Sequence, residues 1–267
     1  MKIAITLLAT CLTVSVMLAQ PGSQALKCTY QLTFQPDSTD KNNQQNELML
    51  LYISKNESQF VSKNFMLRDS LKKVVKRNYD PSSGHLDLSQ VSIPQTRFRF
   101  IIYKSQEIID VFYDKLGWFK YSEDPEELCW EISNEIKSIN GLSCQKAMVS
   151  HGGRNYVAWF TNEIPVPDGP YIFSGLPGLI VEITDTQNHY NFSLIQVQNH
   201  NGIFPFEEPK DYLTISKAKF LSFMADYRKN PIKHLKQYAS VSLSPAERKR
   251  IKDRESRRNN PIELKAN

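Results

Sequence analysis

The chain of 267 residues is poor in glycine, with ten, and in histidine, with five, and past its N-terminal segment no apolar run approaches the roughly 20 residues that cross a bilayer. No G-x-S-x-G or H-E-x-x-H occurs, and no S-x-x-K in a fitting context, which removes the sequence signatures of serine hydrolases, zincins and β-lactamase-like enzymes. There is no CxxC or Cys/His ladder to suggest structural zinc. Internal repeats are also missing. What the chain does have is 14 Phe and 12 Tyr, the material of a sizeable β-rich core rather than of a disordered chain.

The N-terminus reads as a secretory signal: Lys2, an apolar run over 3–18, then Ala19-Gln20-Pro21. Cleavage after Ala19 leaves about 248 residues, read as a single β-rich domain over 20–244 and a basic helical tail over 245–267. Export to the periplasm or the medium is the expected localisation, with no membrane span in the mature protein. Three cysteines remain after cleavage. Cys129–Cys144 closes a short loop and Cys28–Cys144 is the competing pair, with buried free thiols as the third alternative. The formal net charge of +5 is local: the tail holds eight basic residues against four acidic ones. Export and the lack of interleaved aromatics argue against nucleic acid.

Strict alternation over 26–35 places Leu26, Cys28, Tyr30, Leu32 and Phe34 on one face of a strand. A second strand follows at 48–54. Leu67, Leu71, Val74 and Val75 then fall at helical spacing and predict an amphipathic helix over 64–77. A meander follows, with strands at 97–103, 107–113, 118–121 and 130–136. Two more, at 144–151 and 154–161, are joined by Gly152-Gly153, and a last hairpin joins 179–184 to 190–197. Asp110 and Asp114, near Glu107, read as a solvated face. His151, beside the Gly-Gly link, reads as an exposed hairpin tip. Links this short require antiparallel pairing, and about ten strands in one sheet must curl or split. The expected fold is α+β, mainly β: a strongly curved antiparallel sheet or open half-barrel with C-terminal helices. Ser216 caps one helix before Pro231. Ser244-Pro245-Ala246-Glu247 is a capping box for another, whose thin apolar face leaves it projecting into water or lying on an acidic partner.

The most distinctive string is Gly175-Leu176-Pro177-Gly178-Leu179-Ile180. It has no group for acid, base or nucleophilic chemistry. Pro177-Gly178 fits the centre of a type II turn, with Gly178 at positive φ, after a strand-like Tyr171-Ile172-Phe173. It serves either as a buried corner or as the lip of an apolar cavity, together with Trp159, Phe160, Tyr171 and Phe173. The string is the motif of the GLPGLI family. The chain resembles that family throughout 130–183, from Trp130-Glu131-Ile132 through Cys144-Gln145-Lys146-Ala147, Arg154 to Thr161 and Gly169 to Phe173. It is similar to the family again at Asn259-Asn260-Pro261-Ile262-Glu263-Leu264. The resemblance implies an exported protein of a Bacteroidota-type bacterium with no established activity, no cofactor and no catalytic residue to carry over. Family genes often neighbour those of TonB-dependent transport. The curved sheet suggests a lipoprotein-carrier-like fold by analogy alone.

Three functions follow as expectations. The first is a non-enzymatic binding or carrier protein offering an apolar concave sheet face, rich in Phe98, Phe100, Tyr103, Phe112, Tyr113 and Trp118, to a lipid, lipopeptide or peptide. The second is an accessory module that docks on an outer-membrane transporter through its tail. The third is an uncharacterised hydrolase.

Overall fold

The computed structural model describes residues 25–78, 92–201, 207–238 and 242–266; the expected signal segment, Cys11 and the expected cut lie outside them. Chain order runs β1 (Ala25–Phe34), β2 (Gln45–Ile53), β3 (Glu57–Ser62), α1 (Lys63–Asn78), β4 (Phe100–Ser105), β5 (Ile109–Asp114) and β6 (Trp118–Glu123). After a 3-10 turn at Pro125–Glu127 come β7 (Glu131–Ile139), β8 (Leu142–His151), β9 (Arg154–Thr161), β10 (Leu179–Asp185), β11 (Tyr190–His200) and the short β12 (Tyr212–Thr214). Three helices follow: α2 (Lys217–Lys229), α3 (Pro231–Tyr238) and α4 (Pro245–Ser256).

All twelve strands lie in one unclosed sheet in the order β12-β6-β5-β4-β3-β2-β1-β11-β10-β9-β8-β7. Every pairing is antiparallel except β12 with β6. The sheet is therefore two meanders, β1 to β6 and β7 to β11, joined where β1 pairs with β11. Only residues 124–130 connect β6 to β7, yet ten strand spacings separate these two strands in the sheet. Ten spacings amount to about 48 Å, whereas the link reaches at most about 28 Å. The sheet has to curl, which accounts for the curvature expected from strand number.

The inside of the curl is the main core. Cys28, Tyr30, Leu32 and Phe34 face it as the alternation required, joined by Phe60, Ile102, Phe160 and Phe192. A smaller cluster on the outer face, Leu50, Tyr52, Val61 and Phe65, is where α1 begins. The helix is present, but its contact face is not the expected one: Phe65 is buried, while Leu67 and Val74 stay exposed. The strand β3, between the second strand and the helix, is absent from the sequence reading; its burial on both faces, from Ser58 to Ser62, leaves no alternation to detect.

Of the three alternatives for the cysteines the structure has the free thiols, with Cys28 and Cys144 buried and Cys129 exposed. Glu131 lies opposite Met148, four residues along β8 from Cys144, and Cys129 is two residues beyond Glu131, so the two sulfurs are roughly 20 Å apart along extended chain. The tail does not project alone. The α4 helix packs on α2 and α3, and the segment behind it, 259–265, is laid back over the core as a strap, with Asn260 and Glu263 buried.

The elbow also differs from the expected turn. Gly178 does not take positive φ; its N–H donates to the Leu176 carbonyl at 2.7 Å, an inverse γ-turn centred on Pro177. The positive φ falls on Gly175, at 89°. Residues 171–173 form turns rather than a strand, with one bridge between Asp168 and Ser174. Gly178 is required for a different reason: a Cβ there would lie 2.1 Å from the Thr161 carbonyl oxygen. Gly175 has open space around it, and only its backbone angle favours glycine. Gly178→Ala should therefore destabilise by about 3 kcal/mol or more, and Gly175→Ala by about 1–2 kcal/mol. Urea denaturation of both variants checks the order; equal losses would contradict the assignment of the two roles.

Candidate functional site

The curl brings the end of β6 against the end of β8, and the strap closes over both. Glu123 from β6, His151 from β8 and Glu263 from the strap meet there, all buried. His151 Nε2 lies 3.4 Å from Glu123 Oε2 and 3.4 Å from Glu263 Oε1. Lys217, the first residue of α2, enters the same space. Its Nζ is 2.7 Å from Glu123 Oε2, 3.2 Å from Glu263 Oε2 and 3.1 Å from His151 Nε2. Tyr171 donates to Glu263 Oε1 at 2.6 Å. Burial first, and the charge of Glu263 second, raise the proton affinity of Glu123 against the pull of Lys217 and His151. Burial acts the same way on Glu263, but its contacts with His151, Lys217 and Tyr171 take its carboxyl below the usual range. One ammonium thus serves two buried carboxylates, a clasp across the seam of the curled sheet.

His151 is therefore a buried member of this cluster and not an exposed hairpin tip. The hairpin turn itself is as expected, with Gly152 and Gly153 both at positive φ. The expectation failed because the strap that covers the turn comes from more than 100 residues downstream.

Next to the clasp lies a cavity of about 140 Å³ between the inside of the sheet, α2 and the strap. Phe34, Phe98, Phe100, Tyr113, Tyr171 and Tyr190 supply aromatic walls. Its charged lining is uneven: Arg97, Lys115, Arg228 and Arg258 face Glu255 and Glu263. Glu263 is already taken by the clasp. Burial lowers the proton affinity of Arg97, and Arg258 lowers it further. Burial likewise lowers Arg228. Lys115 is pushed down to about 8, by burial in the first place, with Glu255 opposing and Arg258 and Arg99 reinforcing. Glu47 also acts on Arg97 from outside the lining, while the one carboxylate of Glu255 lies 3.9 Å from Lys115 Nζ and 3.2 Å from Arg258 Nη1.

Of the ten residues expected at the corner, Tyr171 lines the cavity. Leu176, Leu179, Ile180, Phe160 and Phe173 are buried in the core, where Phe173 packs edge-on to Tyr156 at 4.7 Å. Trp159 points to the other face of β9, with Lys137 Nζ 4.2 Å from its ring centre. The elbow is held to the sheet by the buried ion pair of Lys104 with Asp168 and by Lys104 Nζ donating to the Gly169 carbonyl at 2.7 Å. Cys28 nearby has its thiol pushed up to about 12, chiefly by burial, which makes it a packing group rather than a nucleophile. Asp110 is no solvated residue; it is buried and paired with Lys120 at 2.8 Å.

The strap is anchored by Arg154, at the start of β9. Its guanidinium donates to Asn260 Oδ1 at 2.6 Å, to the carbonyls of Pro261 and Ile262 at 2.7 and 2.9 Å, and to Asp185 at 2.9 Å. Tyr190 donates to the Asn260 carbonyl at 2.6 Å, and Asn260 donates to the Gln35 carbonyl at 2.7 Å.

Residues 152–182, the glycine turn through β9 and the elbow into β10, match a family described as "Protein of unknown function (Porph_ging)". No activity is attached to that family, and the match carries that description rather than the GLPGLI label. No curated protein matches the chain. Two solved structures, "Structure of PNGF-II in P21 space group" and "Structure of PNGF-II in C2 space group", resemble it with TM-scores of 0.51 and 0.50, at 14% and 13% identity. Each match covers 77% of this chain but 34% of the PNGF-II chain, so the chain spans about a third of the length of these neighbours. At this identity the likeness shows a shared β-rich fold and nothing of activity.

Arg154→Ala should free the strap and leave the buried Asp185 without its ionic partner, at a cost of about 3–5 kcal/mol. Chemical denaturation measures the loss, and limited proteolysis should cut between 257 and 267 in the variant before any other site. Unchanged stability with an uncut C-terminus would contradict the anchoring role.

Proposed function

We propose that the chain is a binding protein of the bacterial envelope, and that its ligand is a small anion with an apolar body, held in the cavity between sheet, α2 and strap. The observation that carries this is the aromatic cavity whose partly buried cations Lys115, Arg228 and Arg258 share the one carboxylate of Glu255. A carboxylate or similar anionic head satisfies Arg97, Arg228, Arg258 and Lys115, while the apolar part lies against the rings of Phe34, Phe98, Phe100 and Tyr190. The expected lipid ligand is narrowed by size. A space of 140 Å³ holds about ten waters and is well below the ~300–1,000 Å³ of pockets for drug-sized ligands. It suits a single short acyl chain or one aromatic ring, not a diacyl lipid. The aromatics of the meander are used mostly as core: Phe98, Phe100 and Phe112 are buried. The envelope setting is supported by the signal-like residues 1–19. For the reading with an outer-membrane transporter, the surface left to the tail is α4, most of which is exposed, while Asn260 and Glu263 are buried within the chain.

Isothermal titration with octanoate and phenylacetate tests the reading. Saturable binding of one equivalent is expected, with Arg97→Gln and Arg258→Gln each weakening it by about tenfold and octanol binding far less well than octanoate. The pH dependence has a defined sign. Lys115 in the free protein loses its proton near 8, and a bound anion raises that value, so binding takes up a proton and affinity falls as pH rises from 7 towards 10. No saturable binding of either acid, or affinity that rises with pH over that range, would overturn the proposal.

A further inference from the structure

The clasp does more than close the seam. We propose that Glu123, His151 and Glu263 form a divalent-cation site of Zn²⁺ or Mn²⁺ type, for which the Lys217 ammonium is the built-in competitor. The first support is spacing. The three ligand atoms lie within 4.8 Å of one another. Two of the separations, His151 Nε2 to each carboxylate, are 3.4 Å. Bonds of about 2.1 Å to a tetrahedral ion place neighbouring ligands about 3.4 Å apart, so these two edges already have the length of a zinc shell.

The second support is direction. An ammonium can only donate, so a hydrogen bond across the 3.1 Å between Lys217 Nζ and His151 Nε2 uses the same imidazole lone pair that a metal uses. Lys217 Nζ thus lies on the ligand side of all three groups. The third support is unmet valence. Glu263 Oε2 faces Lys217 at 3.2 Å without hydrogen-bond geometry, and the buried Glu123 Oε1 has no hydrogen-bond partner among the described residues. Two carboxylates against a single ammonium leave negative charge that a divalent ion neutralises.

The donor set of one imidazole and two carboxylates, with no thiolate, suits Zn²⁺, Mn²⁺ or Co²⁺; Ca²⁺ asks for six to eight oxygens. Tyr171 donates to Glu263 Oε1, the oxygen that lies 3.4 Å from His151 Nε2, and so fixes how that carboxylate is turned towards the imidazole. Lys217 is the first residue of α2 and partly exposed, so its side chain has a route to water when an ion replaces it. Three protein ligands leave a fourth position for water.

The test uses the full chain without affinity tags, stripped with EDTA and titrated with Zn²⁺, Mn²⁺ and Co²⁺ by calorimetry and visible absorption. One equivalent should bind, Co²⁺ should give the intense visible bands of a tetrahedral site, and Lys217→Ala should bind Zn²⁺ about tenfold more tightly than the parent chain. Glu123→Gln and His151→Gln should each lose the Co²⁺ bands. If those two variants fail to fold, the parent chain and Lys217→Ala decide alone. No stoichiometric binding by either, only the weak bands of octahedral Co²⁺, or equal Zn²⁺ affinity with and without Lys217 would overturn the proposal.

Discussion

A sheet that curls without closing leaves a seam, and this fold depends on how the seam is held. The seven residues linking β6 to β7 pull opposite ends of a twelve-stranded sheet together. Hydrogen bonds between the strands cannot complete the closure, because β6 and β7 do not pair. What meets at the seam instead is charge: the buried Glu123, His151 and Glu263 with the partly exposed Lys217, and Tyr171 bonded to Glu263. A buried cluster of this kind is weak evidence for stability, since desolvating its ions offsets much of their attraction. Its contribution here is to fix one arrangement of four segments, because any other leaves a charge buried and alone.

The strap is the second half of that constraint. Residues 259–265 supply a wall of the cavity, a member of the clasp and a cap over the glycine turn, and they are fixed mainly by polar contacts to Arg154, Tyr190 and Gln35. The charge around Arg97, Lys115 and Arg228 follows from the same packing, since the end of α4 and the turn after it bring Glu255 and Arg258 into the same cavity wall. Structure and proposed ligand chemistry thus share one origin, the return of a basic C-terminus over an aromatic core.

Much of the fold was legible in local patterns. The alternation of Cys28, Tyr30, Leu32 and Phe34, the short links that demand antiparallel pairing, the caps at Ser216 and Ser244, and the Gly152-Gly153 turn are all signals carried by neighbouring residues, and the structure keeps them. The site was not legible, because its members are 28 to more than 100 residues apart and each has an ordinary local context. His151 beside two glycines reads as a hairpin tip until a strap from the far end covers it. The thin apolar face of α4 reads as a solvated helix until Glu255 and the strap are seen to supply polar anchors. In the elbow the proline–glycine pair was read for its dihedral angles, whereas Gly178 is fixed by the carbonyl of Thr161, a contact no local pattern encodes.

The central claim is that the strap is part of the folded core and not an appended tail. Native-state hydrogen exchange tests it most directly. The amides of Asn260 and Leu264 donate to the carbonyls of Pro36 and Gly152. They should exchange only with global unfolding, as slowly as the central amides of β1. Exchange of these two amides many orders of magnitude faster, as in a frayed terminus, would contradict the account.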